Sequence, residues 1–443
     1  MRRLLLIFNY LLALLVLKPA LAIPTIQHWE TDNGARVYFV PAPELPMVDI
    51  EVVFDAGSAR DDDQPGLAML TNELLKEGAN GHSADQIAEH FDNLGAQLGH
   101  SVDRDMATMS LRSLTEPSLL QPALEMLALL LAQPDFEAAS FERVRQQTLA
   151  NLKYQQQLPS AIADQAFYRA VFGNHPYATL PEGTPESVAA LTPDDLKAFH
   201  SRYYVAKNAV VAIVGALDRK AAEELTHKIM SQLPTGETAP ALPLVPTLNQ
   251  AQVVHIAHPS TQTHVLIGQP GVARGDPDYF SLYVGNYILG GSGLVSRLTQ
   301  EVREKRGLAY SAYSYFSPQR VEGPFLAGLE TRNDQTDEAL QVVRDSLRDF
   351  IEQGPSKEEL IEAKQGITGS FPLRIMSNSR IIGYLSVLGF YRLPLDYLHT
   401  FNNNVEAVTL KTIQDAFQRR FHLDKLVTVT VGGGSQVAQH QAK

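Results

Sequence analysis

Gly66 to Leu75 read GLAMLTNELL. Leu67, Leu70 and Leu74 recur at helical spacing, so the stretch predicts an amphipathic helix with an apolar face, and Gly78 just beyond Glu77 stands where a left-handed cap would end it. The polar residues are Thr71, Asn72, Glu73, Lys76 and Glu77. None pairs with a histidine at the three- or four-residue spacing that places two metal ligands on one face. Taken alone, this is a core helix.

Outward from it, both neighbourhoods alternate between strand and helix patterns. Val48, Ile50, Val52 and Phe54 are interleaved with Asp49, Glu51 and Asp55, as a strand with one wet face requires. Asn33-Gly34 supplies a hairpin turn before it. Ser83-Ala84-Asp85-Gln86 is a capping box opening a helix that Gly95 closes. In the distal part, HVLIGQP and AYSAYSYF read as strands, and Val295 to Glu304 and Thr336 to Ile351 as helices.

The pattern occurs twice. SVAALTPDDLKAFHSRYYVAKNAVVAIVG ends at Gly215 and NVEAVTLKTIQDAFQRRFHLDKLVTVTVG ends at Gly432, an offset of 217 residues (432 less 215). SLRSLTEPSLLQPALEMLALLL and GLETRNDQTDEALQVVRDSLRDFI repeat a strand, polar turn and helix at nearly the same offset, which indicates an internal duplication. Between the copies lies LPTGETAPALPLVPTLNQ, with prolines at 234, 240, 243 and 246 and no strand or helix period. The expected organisation is an N-terminal half over 23–232, a proline-rich linker over 233–250, a C-terminal half over 251–434 and a tail over 435–443. The expected class is α+β, two homologous halves, each a mixed and mostly antiparallel sheet covered by helices.

Residues 1–22, MRRLLLIFNYLLALLVLKPALA, combine Arg2 and Arg3, an apolar run from Leu4 to Leu17 and a small-residue end at Ala20-Leu21-Ala22, the pattern of a secretory signal cleaved after Ala22. The run is too short for a membrane span of about 20 residues. Export, most simply to a periplasm, is the expectation. The chain's 443 residues contain no cysteine, which removes disulfides, thiolate metal sites and a cysteine nucleophile. A net charge of −12 argues against nucleic acid as a partner.

The run FDAGSARDDDQPGLA, the helix after it, and HSADQIAEHFDNLGAQLGHSVDRDMATMSL together resemble the first half of pitrilysin/insulinase-type metallopeptidases, the family that includes mitochondrial processing peptidase. Its active members carry the inverted zinc motif His-x-x-Glu-His on this helix. The resemblance places the two histidines on Met69 and Glu73, the general-base glutamate on Asn72, and a third ligand near Ala150-Asn151, where Asn151 offers a carboxamide. One carboxylate among these residues cannot make a three-ligand zinc site, so the resemblance implies a family chain that binds no metal. His82, His90 and His100 fit no ligand spacing and read as scattered surface histidines.

In the second half, GGSGLVSRLTQEVREKRGLAYSAYSYF resembles the family's C-terminal signature, in which an arginine and a tyrosine seven positions apart, here Arg303 and Tyr310, bind substrate and stabilise an oxyanion. Spacing alone would equally fit Arg303 ending a solvated helix beside Glu304, and Tyr310 standing as one of three alternating strand tyrosines with Tyr313 and Tyr315. The whole REKRGLAY segment carries the resemblance. Gly290, Gly291 and Gly293 form a flexible loop beside the implied peptide chamber; no lysine-serine/threonine pair follows, so they make no nucleotide loop. No G-x-S-x-G elbow appears. The resemblance implies a non-zinc subunit paired with a paralogue that carries the zinc, the two acting together on peptides. The alternative is a catalytically inactive peptide-binding or structural protein of the same fold.

Overall fold

A computed structural model describes residues 23–433. The export signal expected over 1–22 and the tail expected over 435–443 lie outside these residues. The first half runs β1 (Gln27–Glu30), β2 (Arg36–Pro41), β3 (Met47–Phe54), α1 (Leu67–Leu74), a short hairpin of β4 (Gly78–Ala79) and β5 (His82–Ser83), α2 (Ala84–Asn93), β6 (Gln97–Val102) and β7 (Ala107–Leu114). Helices α3 (Pro117–Ala132), α4 (Ala138–Gln155), α5 (Pro159–Phe172), α6 (Pro185–Ala190) and α7 (Pro193–Tyr203) follow, then β8 (Ala209–Gly215) and α8 (Arg219–Met230). The second half runs β9 (Gln252–Ala257), β10 (Gln262–Val272), α9 (Tyr279–Asn286), α10 (Arg297–Thr299), β11 (Ala309–Phe316) and β12 (Gly323–Arg332). It closes with α11 (Thr336–Gln353), α12 (Lys357–Arg374), α13 (Asn378–Tyr391), α14 (Tyr397–Ala407), α15 (Leu410–Arg420) and β13 (Val427–Gly432).

The two sheets have the same wiring. The first is ordered β1-β2-β8-β3-β7-β6 and the second β9-β13-β10-β12-β11. In each, the last strand of the half runs parallel to the first member of the repeat, β8 beside β2 and β13 beside β9, and every other pairing is antiparallel. Strand β1, added at one edge of the first sheet, has no counterpart in the second. Edge strands β6 and β11 occupy equivalent positions.

Neither sheet is closed by its own half. Both β8 and β13 are buried along their whole length, on both faces, which requires a layer on each side. One layer is the half's own helices. The other is exchanged: α13, from the second half, packs across β8, β3 and β2 of the first sheet, while α5, from the first half, packs across β13 and β10 of the second. These helices are repeat equivalents, starting at Pro159 and Asn378, 219 residues apart (378 less 159).

Close approach is secured by glycine on opposite partners. A Cβ at Gly389 of α13 would lie 2.6 Å from Val210 and 2.7 Å from Tyr38, and one at Gly268 of β10 would lie 2.7 Å from the Phe167 ring of α5. Arg36 donates to the Gly389 carbonyl at 2.7 Å, and Ser386 bonds Glu51 across the seam. At the seam's centre Asp105 accepts from the phenols of Tyr177 (2.5 Å) and Tyr391 (2.7 Å) and from the Arg320 amide (2.8 Å). Residues 233–250 contain no helix or strand. They begin along the first half, where the carbonyls of Pro234, Pro240 and Pro243 bond Ala206, Arg60 and His175, and from Leu242 onward pack beside the second sheet.

Two local expectations fail. Gly78 does not cap α1, which ends at Leu74 with Leu75 as its cap; Gly78 begins β4 instead. The segment Val295–Glu304 is not one α-helix. A 3-10 turn ends at Val295, Ser296, in extended conformation, breaks the chain and caps the single turn α10, and Gln300–Glu304 widen into a π turn.

Candidate functional site

Helix α1 is locked from its first turn. Asp61, buried, accepts the amides of Gly66 (2.8 Å) and Ala68 (2.7 Å), which sets a carboxyl at the helix N-terminus. Burial pushes that carboxyl up to about 8, against the pull of the two amides. Gly66 enters the helix with φ 96°, a conformation that favours glycine. Leu67, Leu70 and Leu74 are buried in the first-half core as their spacing requires.

The positions to which the resemblance assigns zinc donors are engaged in protein-only contacts. Asn72 is buried and donates through Nδ2 to the Tyr204 hydroxyl at 3.2 Å, and Tyr204 is itself fully buried against Phe54 and His200. Its Oδ1 has no partner among the described residues. Glu73 is half-buried and paired to Lys76 at 2.9 Å, with His100 Nε2 at 3.2 Å. Lys76 also donates to His100 Nε2 at 2.7 Å. Burial holds the His100 imidazole below its ordinary value, with Lys76 adding to that and Glu73 opposing it. The neutral ring therefore accepts from the ammonium. A lysine side chain thus lies between a carboxylate and an imidazole.

His100 is not a scattered surface histidine, as its sequence spacing suggested. It reaches α1 from edge strand β6, a neighbour in space that is 27 residues from Glu73 in sequence (100 less 73). Met69 is half-buried and offers only a thioether, a poor zinc ligand. Asn151 is exposed on α4 and bonded to Gln147 one turn earlier at 3.3 Å. The residues present do not fit zinc: a thioether, a carboxamide, an engaged carboxylate and a second, outward carboxamide. Among the described residues no group of three or more His, Asp or Glu is arranged to hold a metal ion.

The second-half signature is brought together. Gly307, with φ 63°, turns the chain so that its amide bonds the Arg303 carbonyl, and Leu308 bonds Val302, both at 2.9 Å. Arg303 and Tyr310 meet as a consequence, with the guanidinium 4.7 Å from the ring centre. Glu301 binds Lys305 (2.5 Å) and Arg306 (2.7 Å), which keeps those cations away, while Arg303 keeps a looser contact with Glu304 at 3.3 Å. Tyr310 is 82% exposed. The three tyrosines do not simply alternate: the register shifts between Ala309 and Ala312, so a bulge turns Tyr310 outward while Tyr313 and Tyr315 stack on one face, their ring centres 6.1 Å apart and their planes nearly parallel.

Two clefts lie beside these features. One of about 960 Å³ runs from the C-terminal end of α1 past α2 and edge strand β6, with Lys76, Glu77, His82, Asp92, Gln97 and Arg143 among its walls. The other, of about 510 Å³, takes in one side of edge strand β11, Arg274, Arg374 and the three glycines; these are not the flexible loop expected, since Gly290 and Gly291 end a π turn (Tyr287–Gly291) that prolongs α9, with Gly290 buried against Ser314 of β11, and only Gly293 stands beyond it. Arg303 and Tyr310 line neither, and among the described residues no hydrogen bond, ion pair or ring contact joins them to Met69, Asn72 or Glu73. The two arginines of the second cleft escaped sequence reasoning, being 100 residues apart (374 less 274) and in no motif.

With this geometry in place, comparisons with known proteins are informative. The family model described as insulinase (peptidase family M16) matches residues 36–183, and the one described as peptidase M16 inactive domain matches residues 190–367. A Helicobacter pylori protein named non-peptidase homolog YmxG is 28% identical over 87% of this chain and 89% of its own length. The crystal structure of a peptidase M16 inactive domain from Pseudomonas fluorescens is 40% identical, with a TM-score of 0.89 over 93% of this chain and 98% of that one. The periplasmic protease PqqL from Escherichia coli shares the fold at 16% identity, with a TM-score of 0.77 over 95% of this chain and 48% of that one. Duplicated halves, a helix in the zinc-helix position without zinc donors, and these matches lead to one conclusion: the chain belongs to peptidase family M16, as a member without the family's zinc ligand set.

Proposed function

We propose that this chain is the non-zinc subunit of an exported M16 peptidase, presenting Arg303 and Tyr310 to a partner chain that carries the inverted zinc motif. The observation that carries this reading is the contrast between the two signatures. On α1 Asn72 is turned inward and Glu73 is paired, whereas Arg303, in the turn before β11, and Tyr310, at the bulge of that strand, are held together with the phenol in solvent. A guanidinium bound to a peptide carbonyl and a phenol donating to the oxygen as charge develops on it are suited to acyl chemistry in a partner's site. Export is supported by the secretory pattern of residues 1–22. Among the described residues no helix is long and apolar enough to cross a membrane.

The second reading, a peptide-binding or structural protein without a catalytic partner, is favoured by the printed name of the Helicobacter relative and by the clefts beside both edge strands. Reconstitution separates the two. Co-purified with an exported family chain bearing His-x-x-Glu-His, Tyr310→Phe is expected to lower chelator-sensitive peptide cleavage about 10²-fold per assembled complex, the typical loss for one oxyanion donor. Arg303→Ala is expected to raise KM as well as lower kcat. Unchanged turnover per complex in both variants, with the zinc-bearing chain alone as background, would give the chain to the second reading.

A further inference from the structure

The second cleft holds two cations without counter-ions. Arg274 and Arg374 both line it, together with Tyr279, Tyr283 and Tyr315. The nearby carboxylates are spent elsewhere: Asp276 on Arg420, and Asp278 on Arg419 and Arg420. Among the described residues no acidic side chain pairs with either cleft arginine. Arg374 donates to the Tyr283 hydroxyl at 2.8 Å, and Arg274 lies over the Tyr391 ring at 5.5 Å with its Nε buried and unpartnered. Nor do the cleft's more enclosed phenols supply a negative charge: burial pushes Tyr279, Tyr313 and Tyr315 above the ordinary tyrosine range. In a chain of net charge −12, two partly buried guanidinium groups facing one aromatic cleft form a local exception that calls for an anion.

The walls narrow the anion's class. Tyr313 to Phe316 line the cleft from edge strand β11, which is hydrogen-bonded on one side only, so an extended main chain can lie along it. Planar guanidinium forks match a carboxylate, and stacked phenols suit flat or apolar side chains. We infer that the cleft between α9, the glycine-rich turn that prolongs it and β11 binds an extended peptide by a carboxylate held between Arg274 and Arg374. This rests on the reading that the chain binds peptide.

The carboxylate has two sources, a free C-terminus or an acidic side chain, and three fluorescein-labelled hexapeptides of one aromatic-rich sequence separate them: a C-terminal acid, the C-terminal amide, and the amide with an added penultimate glutamate. Anisotropy with the purified chain is expected to show the amide binding about tenfold or more weakly than the acid, with the glutamate peptide regaining affinity if a side chain suffices. Arg274→Gln and Arg374→Gln should each remove the preference for the acid, and the lysine variants should keep part of it, at unchanged melting temperature. Equal binding of acid and amide, or a preference that survives both glutamine variants, overturns the arginine site and leaves peptide binding standing. Binding of none of the three overturns both. Loss of turnover on Tyr310→Phe in the reconstituted complex would bear only on the proposed subunit role.

Discussion

Phe167→Ala would test whether the exchanged helices make the two halves one folding unit. Phe167 is fully buried on α5, which belongs to the first half by sequence yet covers the second sheet, and its ring rests in the space left by Gly268. Truncating such a ring costs about 3–5 kcal/mol, the transfer term plus the cavity left behind. With a urea slope of at least about 3 kcal/mol per M, rising with chain length, the midpoint should fall by about 1 M. The chain reports on itself, because its single tryptophan, Trp29, sits on β1 of the first sheet under Arg219 and beside Phe39, remote in the fold from the lesion. If the halves are coupled through α5 and α13, Trp29 fluorescence and far-UV circular dichroism move together and by the same amount. A Trp29 transition left at the wild-type midpoint, with only part of the dichroism shifted, would refute the coupling and show two independent domains that happen to touch.

Three further outcomes are expected. Burial depresses the His200 imidazole to about 4, its ring bonded to the Leu131 carbonyl at 2.8 Å; the folded value lies below the unfolded one of about 6.5, so the stability it protects is present above about pH 6.5 and is lost as pH falls toward 4. The stability advantage of wild type over His200→Gln should shrink by about 2–3 kcal/mol across that window in denaturant melts at several pH values. Restoring the motif with Met69→His, Asn72→Glu and Glu73→His should not produce stoichiometric zinc by elemental analysis, since Asn151 points outward to Gln147 and supplies no third ligand; one tight zinc per chain would refute that argument. Asp105→Asn should cost about 2–4 kcal/mol by thermal melting, because a carboxamide cannot accept from both Tyr177 and Tyr391 and presents an N–H to one of them; an unchanged melt would mean that the seam does not depend on this carboxylate.

Much of the architecture is legible in the chain because it is encoded locally. Alternation marks β3 as a strand, although its polar face is not wet as expected but lies under α13, with Asp49 and Asp55 buried; the capping box marks α2, and the returning pattern before Gly215 and Gly432 exposes the duplication. The unsuitability of Met69, Asn72 and Glu73 as a zinc set is an argument from residue identity alone, so it needs no contact information. What is encoded by contact is not. The apolar faces of α5 and α13 reveal that they are buried but not which sheet they cover. Lys76, Glu73 and His100 share no motif and meet only because β6 forms the edge beside α1. The bulge that frees Tyr310 arises in the pairing of β11 with β12 and has no signature in AYSAYSYF.

The exchange of α5 and α13 also bears on how such a chain could arise. A solitary half of this design would leave one face of its sheet bare, with Tyr38, Val210 and Val214 on one copy and Leu266 and Val429 on the other open to water, so it would have no stable monomer to start from. Two identical halves, each lending its helix to the other, satisfy both sheets at once through a closed two-fold pairing. Joining them through residues 233–250 turns that encounter into an intramolecular one. The seam therefore belongs to neither half: a substitution on α5 or α13 is felt first by the sheet of the other copy, so the two halves cannot be altered independently across it.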